Sequence, residues 1–223
     1  MAGRALKHYS KWSSEEYDEV DEYAKLLLPK QPPATKNTVA TLEDVEKLLA
    51  VCTRSSDEIE NFLALRDAAL VHVFACTGCR LGEVSRMNVS DLDTTTKTIT
   101  LPKTKNGDVR RTQLTADAMR AIRRYQRVAP PISELVLFVT WTNRRMSADA
   151  IRKAITRRCK AAGVNITPHS FRRGFAMLWL RRGGSETHLM TIAGWKTHSM
   201  VGRYVKAVAG EEALLEQARI FDN

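Results

Sequence analysis

Two arginines and a histidine stand in short polar segments where they could hold an anion. Arg80 lies in Thr77-Gly-Cys-Arg-Leu-Gly-Glu83, while His169 and Arg172 lie in Pro168-His-Ser-Phe-Arg-Arg173. A guanidinium stays charged at any working pH and can hydrogen-bond two phosphate oxygens at once, which an ammonium cannot do in the same geometry. A phosphodiester under attack builds negative charge on its nonbridging oxygens, and Arg80 and Arg172 suit its stabilisation. His169 and Arg172 are three residues apart at an expected helix start, so both can face one site while the helix N-terminus adds N–H donors. Alone, this His-x-x-Arg pattern reads as a solvated helix end; beside the other segments it reads as chemistry. A third segment, Gly194-Trp-Lys-Thr-His-Ser-Met-Val-Gly-Arg-Tyr204, supplies a phenol. With an unperturbed pKa of ~10, a tyrosine needs neighbouring cations or a base before it is a useful nucleophile, and His169 is the natural base.

Together the three segments resemble the signature boxes of the tyrosine recombinase and phage integrase family, in the order Arg, His-x-x-Arg, Gly-His/Trp and Tyr, over the chain from about residue 41 onward. An ordered set is far more specific than any single box. The resemblance implies the catalytic-domain fold of that family: α+β, predominantly α-helical with a small antiparallel β-sheet. It implies a site-specific DNA recombinase, or integrase, that cleaves and rejoins strands through a 3′-phosphotyrosyl intermediate at Tyr204, with no metal, cofactor or ATP. In that scheme Arg80 and Arg172 hold the phosphate, His169 takes the phenol proton, and a lysine on a β-hairpin protonates the departing 5′ oxygen. Lys105, directly before Asn106-Gly107, matches that lysine best; Lys103 would share its strand face and is the alternative, and either can serve as a point charge on phosphate. Arg173 is expected to contact DNA alongside Lys103. Trp195, nine residues before Tyr204, stands where most members carry His. Its indole N–H can donate to a phosphate oxygen and its ring can pack beside the tyrosine, but it cannot shuttle a proton. His198 has the wrong spacing and reads as a surface residue. Glu83 fits the family's acidic position behind the basic residues, where it would orient them; otherwise it is a helix-surface Glu. Tyr9, Tyr17 and Tyr23 lie in a charged N-terminal region and Tyr125 on an ordinary helix face.

The balance of charge agrees with a polyanionic partner: 35 Lys and Arg against 25 Asp and Glu give a formal charge of +10, with a pI near 9.7. Double-stranded DNA is the expected partner. The basic residues are spread through the sequence rather than gathered in an amphipathic tail, which ranks a membrane surface well below it. The N-terminus has no apolar run, and the stretch 68–76 is interrupted by His72 and too short to span a bilayer. A cytoplasmic protein, bacterial or phage-encoded and acting on the nucleoid, is expected. Four cysteines make no disulfide framework. Cys76-Thr-Gly-Cys79 is formally a C-x-x-C, but no second pair completes a zinc site, and small buried hydrophobes at a helix end are the better reading. The resemblance further implies a homo-oligomer, dimeric on a site and tetrameric in synapsis, with host or phage DNA-bending proteins as accessories. Two rivals stay open: a type IB topoisomerase-like enzyme using the same chemistry as a monomer, and a catalytically silent DNA-binding regulator, against which the intact set of Arg80, Lys105, His169, Arg172 and Tyr204 argues.

These residues must be positioned by helices and one hairpin. Thr41 with Asp44 forms a capping-box start, followed by Leu42, Val45, Leu48 and Leu49 at helical spacing. A second helix runs from about Asp57 to a cap at Gly78, and a short one over 81–87. Strands at 98–101 and 109–114 flank Asn106-Gly107 as a hairpin turn. Helices are expected at 115–128 and from a Ser147 cap to Gly163, with an apolar run over 135–140 between them. Further helices are expected at 169–180, 186–193 and 199–208, then an amphipathic tail over 211–221. By domain, 1–34 reads as a charged helix and a Pro-rich linker, too short for the separate core-binding domain the family usually carries. The catalytic domain spans 35–209. Residues 210–223 form a tail whose stripe of Leu214, Leu215, Ala218, Ile220 and Phe221 docks on a neighbouring protomer or on its own core. Either the chain is a fragment lacking a partner domain or it is a minimal phage-type integrase, which the initial Met favours.

Overall fold

Side-chain caps set most of the helix starts. In the computed structural model, which describes residues 38–101 and 109–221, helix α1 (Leu42–Ala50) begins with Thr41 accepting from the Asp44 N–H while the Asp44 carboxylate accepts from the Thr41 N–H. Asp57 caps α2 (Glu58–Thr77), Thr115 caps α4 (Ala116–Gln126), Ser147 caps α5 (Ala148–Ala162) and Ser185 caps α7 (Glu186–Ala193). Each such cap contributes about 1 kcal/mol. Between them lie the single turn α3 (Leu81–Val84) and α6 (Pro168–Arg181), whose first residue is a proline and so has no N–H to leave unmatched. The chain ends in α8 (His198–Phe221).

Three short strands, β1 (Leu92–Asp93), β2 (Thr98–Leu101) and β3 (Arg110–Gln113), pair antiparallel in that order. Ile99 faces Thr112 and Leu101 faces Arg110 across β2 and β3. The sheet turns Ile99, Leu101 and Thr112 inward. The segment between β2 and β3, with Lys103, Lys105 and Asn106-Gly107, lies outside the described residues, as do the expected N-terminal helix and linker.

The core is built around α2. Its Phe62, Leu70, Val73 and Phe74 are fully buried, each worth about 1.5–3 kcal/mol relative to exposure. Phe74 stacks on Phe171 of α6 with ring centroids 5.8 Å apart. Tyr125 of α4 is equally buried and accepts the Val139 N–H at 3.0 Å. Val139 belongs to the apolar run at 135–140, of which Val136, Leu137, Phe138 and Val139 pack into this core while Leu135 is exposed. A second, smaller cluster joins α6, α7 and α8 through Met177, Leu180, Leu189, Val201, Tyr204 and Val208.

Two elements differ from expectation. The turn α3 stops at Val84 rather than at 87. The helices expected at 199–208 and 211–221 are one, because Gly210 keeps a helical backbone. A mid-helix glycine costs only about 1 kcal/mol against alanine, too little to end a helix that has no proline to stop it.

Candidate active site

Arg80 is the residue before α3, and Glu83 follows one turn later. Glu83 is only 3% exposed, so it is no helix-surface residue. Its Oε1 accepts from Arg80 Nη1 at 3.1 Å and its Oε2 from Arg110 Nη2 at 2.7 Å. Arg80 Nη2 in turn donates to the Gly194 carbonyl at 3.0 Å. One buried carboxylate thus holds two guanidiniums, one from the start of α3 and one from the sheet.

Arg172 sits in the second turn of α6 and is buried. Its Nη1 donates to the Gly78 carbonyl at 2.9 Å and its Nη2 to the Ala193 carbonyl at 2.6 Å. Both acceptors lie at helix C-termini, of α2 and α7, where carbonyls carry the negative end of the helix dipole. Burial first, then the charges of Arg80 and Arg110, bring its pKa down to about 10 against the pull of Glu83. Arg172 is therefore still a cation at neutral pH.

His169 lies one turn before Arg172 and is exposed. Partial desolvation, and then repulsion from Arg173, Arg172, Arg203 and Arg80, hold its pKa below the usual histidine value. Near neutral pH its imidazole is uncharged and can accept a proton. A cavity of about 260 Å³ is lined by Arg80, Arg152, His169 and Arg172, with Cys79 and Pro168. Three guanidiniums, a neutral imidazole and the first turn of α6 around one opening make a site for an anion.

The phenol of Tyr204 comes from α8. Gly194 ends α7 with φ +63°, in the left-handed region that favours glycine, and turns the chain so that Trp195 follows at the corner. Trp195 stacks on Tyr204 with centroids 5.4 Å apart and an interplanar angle of 6°. The Arg172 guanidinium carbon lies 5.0 Å from the Trp195 ring centre, and that of Arg203 lies 5.3 Å from the Tyr204 ring centre. Arg172, Trp195 and Tyr204 are therefore in continuous contact. Tyr125 is no rival, since burial pushes its hydroxyl up to about 12.

Residues 38–211 match the model of the Phage integrase family. The chain belongs to the phage integrase family. It is 26% identical over 170 residues to tyrosine recombinase XerA of Saccharolobus solfataricus, covering 75% of this chain and 52% of the relative. It is 27% identical over 194 residues to tyrosine recombinase XerC of Corynebacterium glutamicum, covering 85% and 61%. The chain thus spans about half to three-fifths of these two relatives. A crystal structure of XerA recombinase superposes with a TM-score of 0.67 at 24% identity, over 96% of this chain and 74% of that one. The mostly helical fold with a small antiparallel sheet is the fold of that recombinase.

Within this integrase-family fold, Arg80, His169 and Arg172 line one cavity, Glu83 holds Arg80 from behind, and Trp195 and Tyr204 stack beside Arg172 without lining that cavity. Lys103 and Lys105 lie outside the described residues. Arg173 does not line the cavity; its Nη1 donates to the Thr38 carbonyl at 3.2 Å and ties the start of the fold to α6. His198 is exposed at the first turn of α8. The thiols of Cys76 and Cys79 are pushed by burial to about 11 and about 12, away from reactivity. Sequence reasoning missed Arg110 and Arg152. Arg110 had a signal: it occupies the same strand face as buried Thr112, and an arginine at an inward position of a half-buried strand calls for a partner. Arg152, paired with Asp149 on α5, had none. Among the described residues no helix is long and apolar enough to cross a membrane.

Proposed function

We propose that this chain is the catalytic part of a site-specific DNA recombinase, an integrase-type enzyme acting on double-stranded DNA in the cytoplasm. The observation that carries the reading is the contact chain from Arg172 through Trp195 to Tyr204, which joins a cation of the anion cavity to a candidate nucleophile. Tyr204 Oη attacks the scissile phosphorus, and the bond from phosphorus to the 5′ oxygen breaks. Arg80 and Arg172 carry the charge that grows on the nonbridging oxygens, and Trp195 contributes its indole N–H. His169 accepts the phenol proton, and Lys105, or Lys103 beside it, supplies a proton to the 5′ oxygen. The product is a 3′-phosphotyrosyl ester and a free 5′-hydroxyl. Attack by a 5′-hydroxyl of a partner duplex reverses the step, and because one phosphoester is exchanged for another the reaction needs no external energy source.

The assembly we infer is a dimer on one DNA site and a tetramer in synapsis. It is supported by the far end of α8, where Leu214, Ile220 and Phe221 are exposed and so do not dock on the chain's own core. An apolar stripe left open at the end of a helix suits the groove of a neighbouring protomer.

The test is direct. The protein and a Tyr204→Phe variant are incubated with supercoiled plasmid, quenched with denaturing detergent and analysed for protein bound covalently to DNA. Adducts at 3′ ends, from the unaltered protein alone, are expected. DNA binding by both proteins with no adduct from either would instead leave a binding module.

A further inference from the structure

Arg110 opens β3, the strand that returns from the segment holding Lys103 and Lys105. Its side chain is 8% exposed, so a guanidinium occupies a core-facing position. Burial pushes its pKa down and Glu83 pulls it back up. Its Nη2 holds Glu83 Oε2 at 2.7 Å, while Nη1, also buried, has no hydrogen-bond partner among the described residues. An apolar side chain of similar length would fill this place with less desolvation, so packing alone does not account for a charge here.

The geometry of Glu83 gives the account. Each carboxylate oxygen takes a different guanidinium, Oε2 that of Arg110 and Oε1 that of Arg80. Arg80 keeps Nη2 for the Gly194 carbonyl. Both arginines also pack beneath Gly194: a Cβ placed there would lie 2.9 Å from Arg110 Nε and 3.5 Å from Arg80 Nη1. If Arg110 were absent, Oε2 would keep only the Arg80 backbone N–H, at 2.5 Å, and would be open to the Arg80 guanidinium as well. A carboxylate facing a lone guanidinium favours the two-pronged pair with parallel N–H···O bonds. Arg80 would then turn toward Glu83, away from Gly194 and from an incoming phosphate.

We propose that Arg110 is a positioning residue for strand cleavage: it occupies one oxygen of Glu83 so that Arg80 keeps its shared hold on the other oxygen and the Gly194 carbonyl, the pose in which it meets the phosphate. The proposal rests on the phosphoryl-transfer reading above. It makes Glu83 harmful once Arg110 is gone, which a merely structural role does not.

The experiment measures the rate of covalent adduct formation on supercoiled plasmid per folded molecule, with DNA affinity measured in parallel. Arg110→Met is expected to lower the rate ~10-fold to ~100-fold, no more than the ~10²-fold or greater cost of losing an aligned donor outright, and to change affinity less than about threefold, since ground-state phosphate contacts elsewhere remain. Adding Glu83→Gln to Arg110→Met is expected to recover part of the loss, because an amide does not grip a guanidinium as a carboxylate does. Arg110→Lys, which keeps a cation for Glu83, is expected to recover part of it too. Melting curves give the folded fraction, and if Arg110→Met does not fold, Arg110→Gln is read in its place. A single variant at the unaltered rate, or a double variant slower than the single one, would overturn the proposal. Absence of Tyr204-dependent adducts from the unaltered protein would overturn the underlying reaction as well.

Discussion

Two buried carboxylates, Asp67 and Glu83, show how alike a structural charge cluster and a candidate active site are by formal count. Asp67 is fully buried and takes three guanidiniums: Arg66 at 2.8 Å, Arg157 at 2.7 Å and Arg158 at 2.9 Å. Glu83 takes Arg80 and Arg110, with Arg172 close by. Each group sets three arginines against one carboxylate. The difference lies in where the donors end. Around Asp67 all three cations converge on one carboxylate, which locks α2 to α5. Around Glu83 only Arg80 and Arg110 reach the carboxylate and Arg172 spends its donors on neutral carbonyls, whereas Arg66 and Arg158, which also donate to the Val139 and Val51 carbonyls, both keep their bonds to Asp67. The formal excess is the same in both, but the cavity beside the first cluster, lined by Arg157 and Arg158, also carries Glu60, whereas the cavity of Arg80 and Arg172 is lined by no carboxylate.

The largest expected effects come from breaking each cluster in turn. Arg172→Ala should lower the rate of covalent adduct formation at least ~10²-fold. Asp67→Asn should instead lower the unfolding free energy by about 3–5 kcal/mol, because three cations lose their counter-charge, and leave the rate per folded molecule near that of the unaltered protein. Urea unfolding and single-turnover cleavage measured on both variants decide between them. Comparable losses of rate in both would erase the distinction.

A smaller effect concerns pH. Desolvation first, and then the arginines, hold His169 below the ordinary histidine value, so cleavage should rise with pH through a pKa below 6.5 and be flat above neutrality. Arg173→Gln removes a repelling charge, raises that pKa and should shift the acidic limb of the rate profile to higher pH. A limb that stays in place would remove His169 as the base. The smallest effect tests the mouth of the cavity. Arg152→Gln should weaken DNA binding only a few-fold and reduce the log–log salt slope by ~1, the signature of one lost phosphate contact. An unchanged slope would assign Arg152 to Asp149 alone.

How much of this was legible in the sequence follows from how local each signal is. Arg80 with Glu83, His169 with Arg172, and Trp195 with Tyr204 each lie within one segment, so spacing and residue type brought them forward. Tertiary folding had only to assemble three segments. The caps at Thr41, Asp57, Thr115, Ser147 and Ser185 are local in the same sense; Thr41 and Ser147 were read as caps, and Asp57 and Thr115 as helix starts. The pairings within the two long-range clusters were not legible, although the strand face of Arg110 called for a partner without naming it. Asp67 meets Arg157 and Arg158 across some ninety positions, and Arg110 meets Glu83 across 27. No propensity or period encodes such a meeting. The continuity of α8 was missed for an energetic reason: Ala209-Gly210 looks like a stop, yet one glycine is a small penalty in a helix of 24 residues.

That uninterrupted helix has a mechanical consequence. At 1.5 Å per residue α8 is roughly 36 Å long, with Tyr204 near one end and Phe221, roughly 25 Å away, at the other. Such a rod acts as a lever. A tilt of about 10° about the far end sweeps the phenol through roughly 4 Å, more than the length of a hydrogen bond. Whatever grips Leu214, Ile220 and Phe221 therefore sets the reach of Tyr204.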